Sequence, residues 1–130
     1  MSGAVVRILL VEDNPGDSRL LEFLLQDDVD HAYQVRVARS LREALTLAKA
    51  EPDGFDIALL DLSLPDSQGL GTAVKLREVA PNLPIIALTG NEDPKLAEEV
   101  RAWGCADFLV KGALDGPGIG VILHRCMRQS

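Results

Sequence analysis

Cysteine is scarce in this chain. Cys105 and Cys126 are the only two in 130 residues, too few for a disulfide framework and not spaced as a metal or redox pair, so both are expected to stay thiols. Long apolar runs are missing as well: no stretch approaches the roughly 20 apolar residues of a membrane span. The start, Met1-Ser2-Gly3-Ala4-Val5-Val6-Arg7, lacks the basic region and long apolar centre of a secretion signal. A cytoplasmic protein is expected. Positive charge is in deficit, with 13 Lys and Arg against 20 Asp and Glu, a net charge of −7 and a pI near 4.7. That balance argues against nucleic acid or an anionic membrane as the main partner. No repeat, low-complexity tract or linker interrupts the chain, so residues 1–130 are expected to form a single domain.

What the sequence does contain is organised around Ile57-Ala58-Leu59-Leu60-Asp61-Leu62. An apolar run of this kind suits a strand buried on both faces, and a lone carboxylate at its end is costly unless it meets water or cations. The next residues, Ser63-Leu64-Pro65-Asp66-Ser67-Gln68-Gly69, are turn formers, so Asp61 is expected at the carboxyl edge of a strand. Ligands bind at that edge in open α/β sheets.

The rest of the chain alternates short β-branched runs with segments of helical period, the pattern of a parallel sheet with crossover helices. Strands are expected over Val5–Val11, Tyr33–Ala38, Phe55–Leu60, Ile85–Leu88 and Phe108–Val110. Pro15 with Asp17 or Ser18 starts the first helix, Ser40 with Glu43 reads as a capping box for Leu41–Ala50, and further helices fit Gly71–Val79 and Pro94–Ala102. Gly116, Pro117, Gly118 and Gly120 crowd the last segment, so its helix is expected to be short or to start late. Asp27, Asp28 and Asp30 read as a solvated turn, because the spacing lacks the glycine and closing glutamate of an EF-hand loop. Trp103 reads as a partly buried helix-end residue, and His31 and His124, away from the strand ends, as chemically silent.

Just past the apolar runs stand Glu12 and Asp13, then Asp61, Thr89 and Lys111. A flavodoxin-like sheet of order 2-1-3-4-5 brings these positions to one edge. Clustered carboxylates repel by about 4 kcal/mol per pair at 4 Å and an effective dielectric near 20. A cation must offset that. Oxygen ligands without His or Cys select a hard ion, and Mg²⁺ with phosphate fits the set. Asp61 could then attack phosphorus to form an aspartyl phosphate, with Lys111 neutralising one phosphoryl oxygen and the Thr89 hydroxyl donating to another. Gly90 leaves room for a phosphoryl donor.

Read together, Ile8-Leu9-Leu10-Val11-Glu12-Asp13-Asn14, Leu59-Leu60-Asp61-Leu62, Leu64-Pro65-Asp66, Ala87-Leu88-Thr89-Gly90 and Gly104-Cys105-Ala106-Asp107-Phe108-Leu109-Val110-Lys111 resemble the receiver domains of two-component response regulators, including the single-domain chemotaxis type. The resemblance implies phosphorylation of Asp61 by a histidine kinase or a histidine phosphotransfer protein. It implies Asp13 and Asp61 as direct Mg²⁺ ligands, Glu12 as a ligand through water, and the main-chain carbonyl of Ser63 as a further ligand. It also makes Thr89 and Phe108 a switch pair that alters the face of the fourth helix, fifth strand and fifth helix. Family members use this face for output or dimerisation, so a homodimer is among the partners the resemblance allows. Such a protein is a signalling phosphoacceptor that assists its own phosphorylation and dephosphorylation, rather than a turnover enzyme.

Taken singly, each residue has a plainer reading: Glu12 or Thr89 as a helix cap, Lys111 as a solvated lysine, Phe108 as a core aromatic. Their joint placement favours the shared site. Rival functions fit less well. An aspartate-nucleophile phosphatase of the haloacid-dehalogenase kind wants an acid two residues beyond the nucleophile, where this chain has Ser63. A dinucleotide module wants a glycine-rich phosphate loop after the first strand, where Glu12 and Asp13 would repel phosphate. A non-phosphorylated scaffolding receiver would more readily have lost an acid or the lysine. Two departures from the family pattern stand out: Gly112 replaces the proline that usually follows the lysine, which predicts a trans Lys111–Gly112 peptide, and the glycines near the last helix weaken any borrowed partner geometry.

Overall fold

The computed structural model describes residues 5–28, 31–90, 94–113 and 116–128; Asp30, named above in a turn, lies outside them. In chain order the elements are β1 (Val5–Val11), α1 (Pro15–Gln26), β2 (Ala32–Ala38), α2 (Leu41–Ala50), β3 (Ile57–Asp61), β4 (Ser63–Leu64), β5 (Ser67–Gln68) and α3 (Leu70–Val79). Then follow β6 (Ile85–Thr89), α4 (Pro94–Trp103), β7 (Asp107–Val110), a 3₁₀ turn over Lys111–Ala113, and α5 (Gly116–Arg128). Five strands make one parallel sheet in the order β2-β1-β3-β6-β7. This is the 2-1-3-4-5 flavodoxin-like order, with β6 and β7 as the fourth and fifth large strands. The turn formers after Asp61 close into a tiny antiparallel hairpin, β4 against β5.

Side chains alternate across the sheet and divide the core in two. Ile8, Leu10, Ile57, Leu59, Ile86 and Leu88 pack with Leu21 and Leu25 of α1 and with Ile119, Leu123 and Cys126 of α5. Leu9, Val11, Ala58, Leu60, Ile85 and Ala87 pack with Leu41 and Ala44 of α2, Ala73 and Leu76 of α3, and Val100 of α4. Both faces of the central strands are dry. Hence Ile57–Asp61 is buried throughout, as its unbroken apolar run requires. Among the described residues no helix is long and apolar enough to cross a membrane.

Local signals set most boundaries. Asn14 caps α1, its side chain accepting from the Asp17 N–H at 3.1 Å, with Pro15 in the first turn. Ser40 caps α2 by accepting from the Glu43 N–H at 3.1 Å, but Glu43 reaches back to the N–H of Arg39, also at 3.1 Å, and not to that of Ser40. The expected reciprocal box is therefore only half formed. Two further N–H groups of α2, from Leu41 and Arg42, are taken by the carboxylate of Asp66, each at 2.9 Å. Gly104 ends α4 at φ 109°, a left-handed turn that favours glycine, and its carbonyl accepts from Arg77 at 2.7 Å. The same guanidinium lies 4.9 Å from the ring centre of half-buried Trp103.

One expectation is corrected. α5 is neither short nor late, running the 13 residues Gly116–Arg128. Intrinsic propensity penalises glycine by about 1 kcal/mol each, but burial of Ile119, Leu123 and Cys126 against the sheet outweighs it, and a proline in the first turn forfeits no helical hydrogen bond.

Candidate functional site

The carboxyl ends of β1, β3 and β7 converge. Asp61 is the last residue of β3 and pairs in register with Leu88, while Glu12 follows β1 and Lys111 follows β7. The Lys111 ammonium hydrogen-bonds Asp61 Oδ2 at 2.8 Å and Asp17 Oδ2 at 3.1 Å, and touches Glu12 Oε1 at 2.5 Å outside hydrogen-bonding geometry. Glu12 is fully buried and Asp61 is 3% exposed, whereas Asp13 faces solvent. One carboxylate oxygen from each of Glu12, Asp13 and Asp61 lies within 4.8 Å of the others. The sequence-predicted acids and lysine thus form one pocket.

Backbone and side-chain donors fix its members. The Ser63 N–H donates to Asp61 Oδ1 at 2.9 Å, which leaves Oδ2 for Lys111. Glu12 Oε2 accepts from the Asn14 N–H at 3.2 Å, and the Glu12 carbonyl accepts from Arg39 Nη1 at 3.3 Å. Arg39 also donates to Ser18 Oγ at 2.9 Å, so it ties β1, α1 and the end of β2 together behind the pocket. Burial, partly offset by the Lys111 ammonium beside it and reinforced by Asp61, pushes the Glu12 carboxyl up to about 7. Burial alone would lower Lys111, but the carboxylates of Asp61, Glu12 and Asp17 around it outweigh that and raise it.

The remaining predicted residues are placed as follows. Thr89 closes β6 at the same sheet edge, half-buried, in register with Val110. Gly90 is exposed, and a Cβ there would meet nothing within 4 Å. Phe108 is set back from the edge, in register with Ala87 and packed half-buried on the core beneath α2, α3 and α4. No cis peptide occurs among the described residues, so Lys111–Gly112 is trans as its glycine predicts. Asp17 and Arg39 were invisible as site residues in the sequence. Asp17 lies in the first turn of α1, and only the fold brings it to a lysine 94 positions away.

The sequence profile described as the response regulator receiver domain matches residues 8–116. The chain belongs to that family. This receiver domain is 30% identical over 112 residues to the signal transduction histidine-protein kinase BarA of Escherichia coli K12, covering 85% of this chain and 12% of BarA. It is 27% identical over 107 residues to the glycerol metabolism activator of Pseudomonas putida, covering 82% of this chain and 48% of that protein. The receiver domain therefore spans about half or less of the length of these curated relatives. Among solved structures, the Vibrio cholerae chemotaxis protein CheY4 superposes with a TM-score of 0.75 at 28% identity, covering 95% of this chain and 99% of that one. CheY in the Borrelia burgdorferi CheX–CheY–BeF₃–Mg complex shares the fold with a TM-score of 0.80 at 20% identity, covering 92% of this chain and 87% of that one. As a family, receiver domains act as phosphoacceptors in two-component signalling.

Proposed function

We propose that Asp61 accepts a phosphoryl group, in the presence of Mg²⁺, from a phosphohistidine of a histidine kinase or a phosphotransfer protein. The observation that carries this reading is the contact of Lys111 with Asp61 Oδ2 and Glu12 inside a three-carboxylate cluster. The donor set fits the ion: clustered oxygens without imidazole or thiolate suit Mg²⁺, with Asp13 and Asp61 as ligands, Glu12 acting through water and the Ser63 carbonyl completing the set. Bound Mg²⁺ would neutralise the carboxylates and the incoming phosphoryl oxygens.

The chain's own residues supply the rest. The Ser63 N–H holds Oδ1 and so orients the carboxylate. Oδ2 attacks phosphorus, an O–P bond forms as the N–P bond of the phosphohistidine breaks, and the imidazole leaves with the bonding pair. Lys111 then pairs with a phosphoryl oxygen in place of Asp61 Oδ2, and the Thr89 hydroxyl donates to another. Movement of Thr89 toward the new group would free space for Phe108 to rotate inward, altering the surface of α4, β7 and α5. Hydrolysis of the mixed anhydride would return the resting state.

Incubation with acetyl phosphate and Mg²⁺, read by intact mass, tests the proposal. Wild type should gain one PO₃ unit and Asp61→Asn none. An unmodified wild type that also fails to bind fluoroberyllate with Mg²⁺ would favour a scaffolding role; equal labelling of Asp61→Asn would refute Asp61 as acceptor.

A further inference from the structure

At the opposite edge of the sheet, where β2 begins, lies a cluster that phosphoryl chemistry does not use. Asp28 is not a solvated acid: its side chain is 11% exposed, and its Oδ2 accepts from the Tyr33 hydroxyl at 2.5 Å and lies 2.9 Å from His31 Nδ1. His124, arriving on α5, stacks on His31 with ring centres 3.9 Å apart and 33° between planes, and its Nε2 is 3.3 Å from the Tyr33 hydroxyl. One donor atom from each of Asp28, His31 and His124 falls within 4.8 Å of the others.

We propose that Asp28, His31 and His124 bind a borderline transition-metal ion of the Zn²⁺ class, joining the end of α1 to α5. Two imidazoles and one carboxylate are a zinc-type donor set, and the nitrogens disfavour Mg²⁺. Bonds of about 2.0–2.2 Å on a tetrahedral ion place ligand atoms roughly 3.4 Å apart, inside the span the three donors already occupy. Tyr33, bonded to Asp28 and close to His124, serves as the outer partner that orients the ligands. A groove of about 430 Å³, lined by Glu22, Gln26, His31 and Tyr33 among others, reaches the cluster at His31 and gives solvent and an ion a way in.

The approach of α5 is itself shaped to this cluster. A Cβ on Gly120 would stand 2.7 Å from Asp28 Oδ2 and 3.3 Å from the Tyr33 hydroxyl. Glycine there lets the helix close on the acid and bring His124 into range.

The test is calorimetric titration of the whole chain with Zn²⁺ in saturating Mg²⁺, with Co²⁺ absorption as the spectroscopic check on tetrahedral geometry. Wild type should take up one Zn²⁺ per chain. His31→Gln and His124→Gln should each weaken uptake more than tenfold, and Tyr33→Phe about tenfold. His31 is 43% exposed, so its substitution leaves the fold intact, as circular dichroism would verify. Asp61→Asn should retain the Zn²⁺ stoichiometry. No uptake by wild type, or uptake that survives both histidine substitutions, overturns the proposal; the latter outcome would assign the ion to the carboxylate pocket or to the thiols. Labelling of Asp61 is read separately, so either proposal can fail alone.

Discussion

Lys111 Nζ stands 2.8 Å from Asp61 Oδ2 across 50 residues of sequence, and it is the cation that faces the buried pair Asp61 and Glu12. Removing one partner of a buried ion pair leaves the others uncompensated, which costs more than the pair contributes. Lys111→Met should therefore lower stability in Mg²⁺-free buffer by about 3 kcal/mol. Urea unfolding would measure it. Saturating Mg²⁺ should recover part of the loss, and acetyl phosphate labelling should stay slow in either condition.

Glu12 binds its proton more tightly folded than unfolded, since burial moves it from 4.5 up to about 7. A raised carboxyl contributes stability fully below its unfolded value and loses it as pH climbs through the folded one. Without divalent ions, the melting temperature should thus fall by a few degrees as pH rises from about 5 to about 8. Glu12→Gln should flatten that slope and raise the neutral-pH melting temperature. Thermal scans across pH would show it.

Asp66 caps a helix that begins 25 positions before it, accepting from the N–H groups of Leu41 and Arg42. Those two bonds hold its carboxyl below the ordinary 3.8. Asp66→Ala should cost about 1 kcal/mol, as cap removal usually does. For a depressed carboxyl the contribution is present above the unfolded value and lost as pH falls through the folded one. Wild type and variant should accordingly converge in acid denaturation series below the ordinary carboxylate range.

Gly120→Ala pits propensity against packing. Alanine improves a helix interior by about 1 kcal/mol over glycine, yet its methyl would press on Asp28 Oδ2. Crowding a packed site costs about 1–3 kcal/mol, so the net outcome should be a loss of roughly 1 kcal/mol in chemical denaturation, against the gain that helix propensity alone predicts.

Much of this was legible in the chain itself, for definite reasons. Apolar runs that stop at Glu12, Asp61, Thr89 and Lys111 mark strand ends, because a buried parallel strand tolerates no charge until it reaches the edge. Side chains that act across the fold left no such mark. Asp17 and Arg39 belong to the pocket only through long-range geometry, and Asp66 reads as a turn former until its distant N–H partners are seen. The start of α5 is not legible because its glycines carry a local penalty that is visible in sequence, while the burial opposing it is not. The contacts of Asp28 and the histidines are hidden for the same reason: Tyr33 and His124 meet across 91 positions.

The alternation of inward residues along β1, β3 and β6 has an energetic corollary. Leu76 of α3 and Leu123 of α5 belong to separate core clusters on opposite faces of the sheet, so truncating both should give the arithmetic sum of the single losses. Leu25 and Leu123 occupy the same compartment, so their double truncation should depart from that sum. Thermodynamically, the domain behaves as two half-molecules sharing one wall.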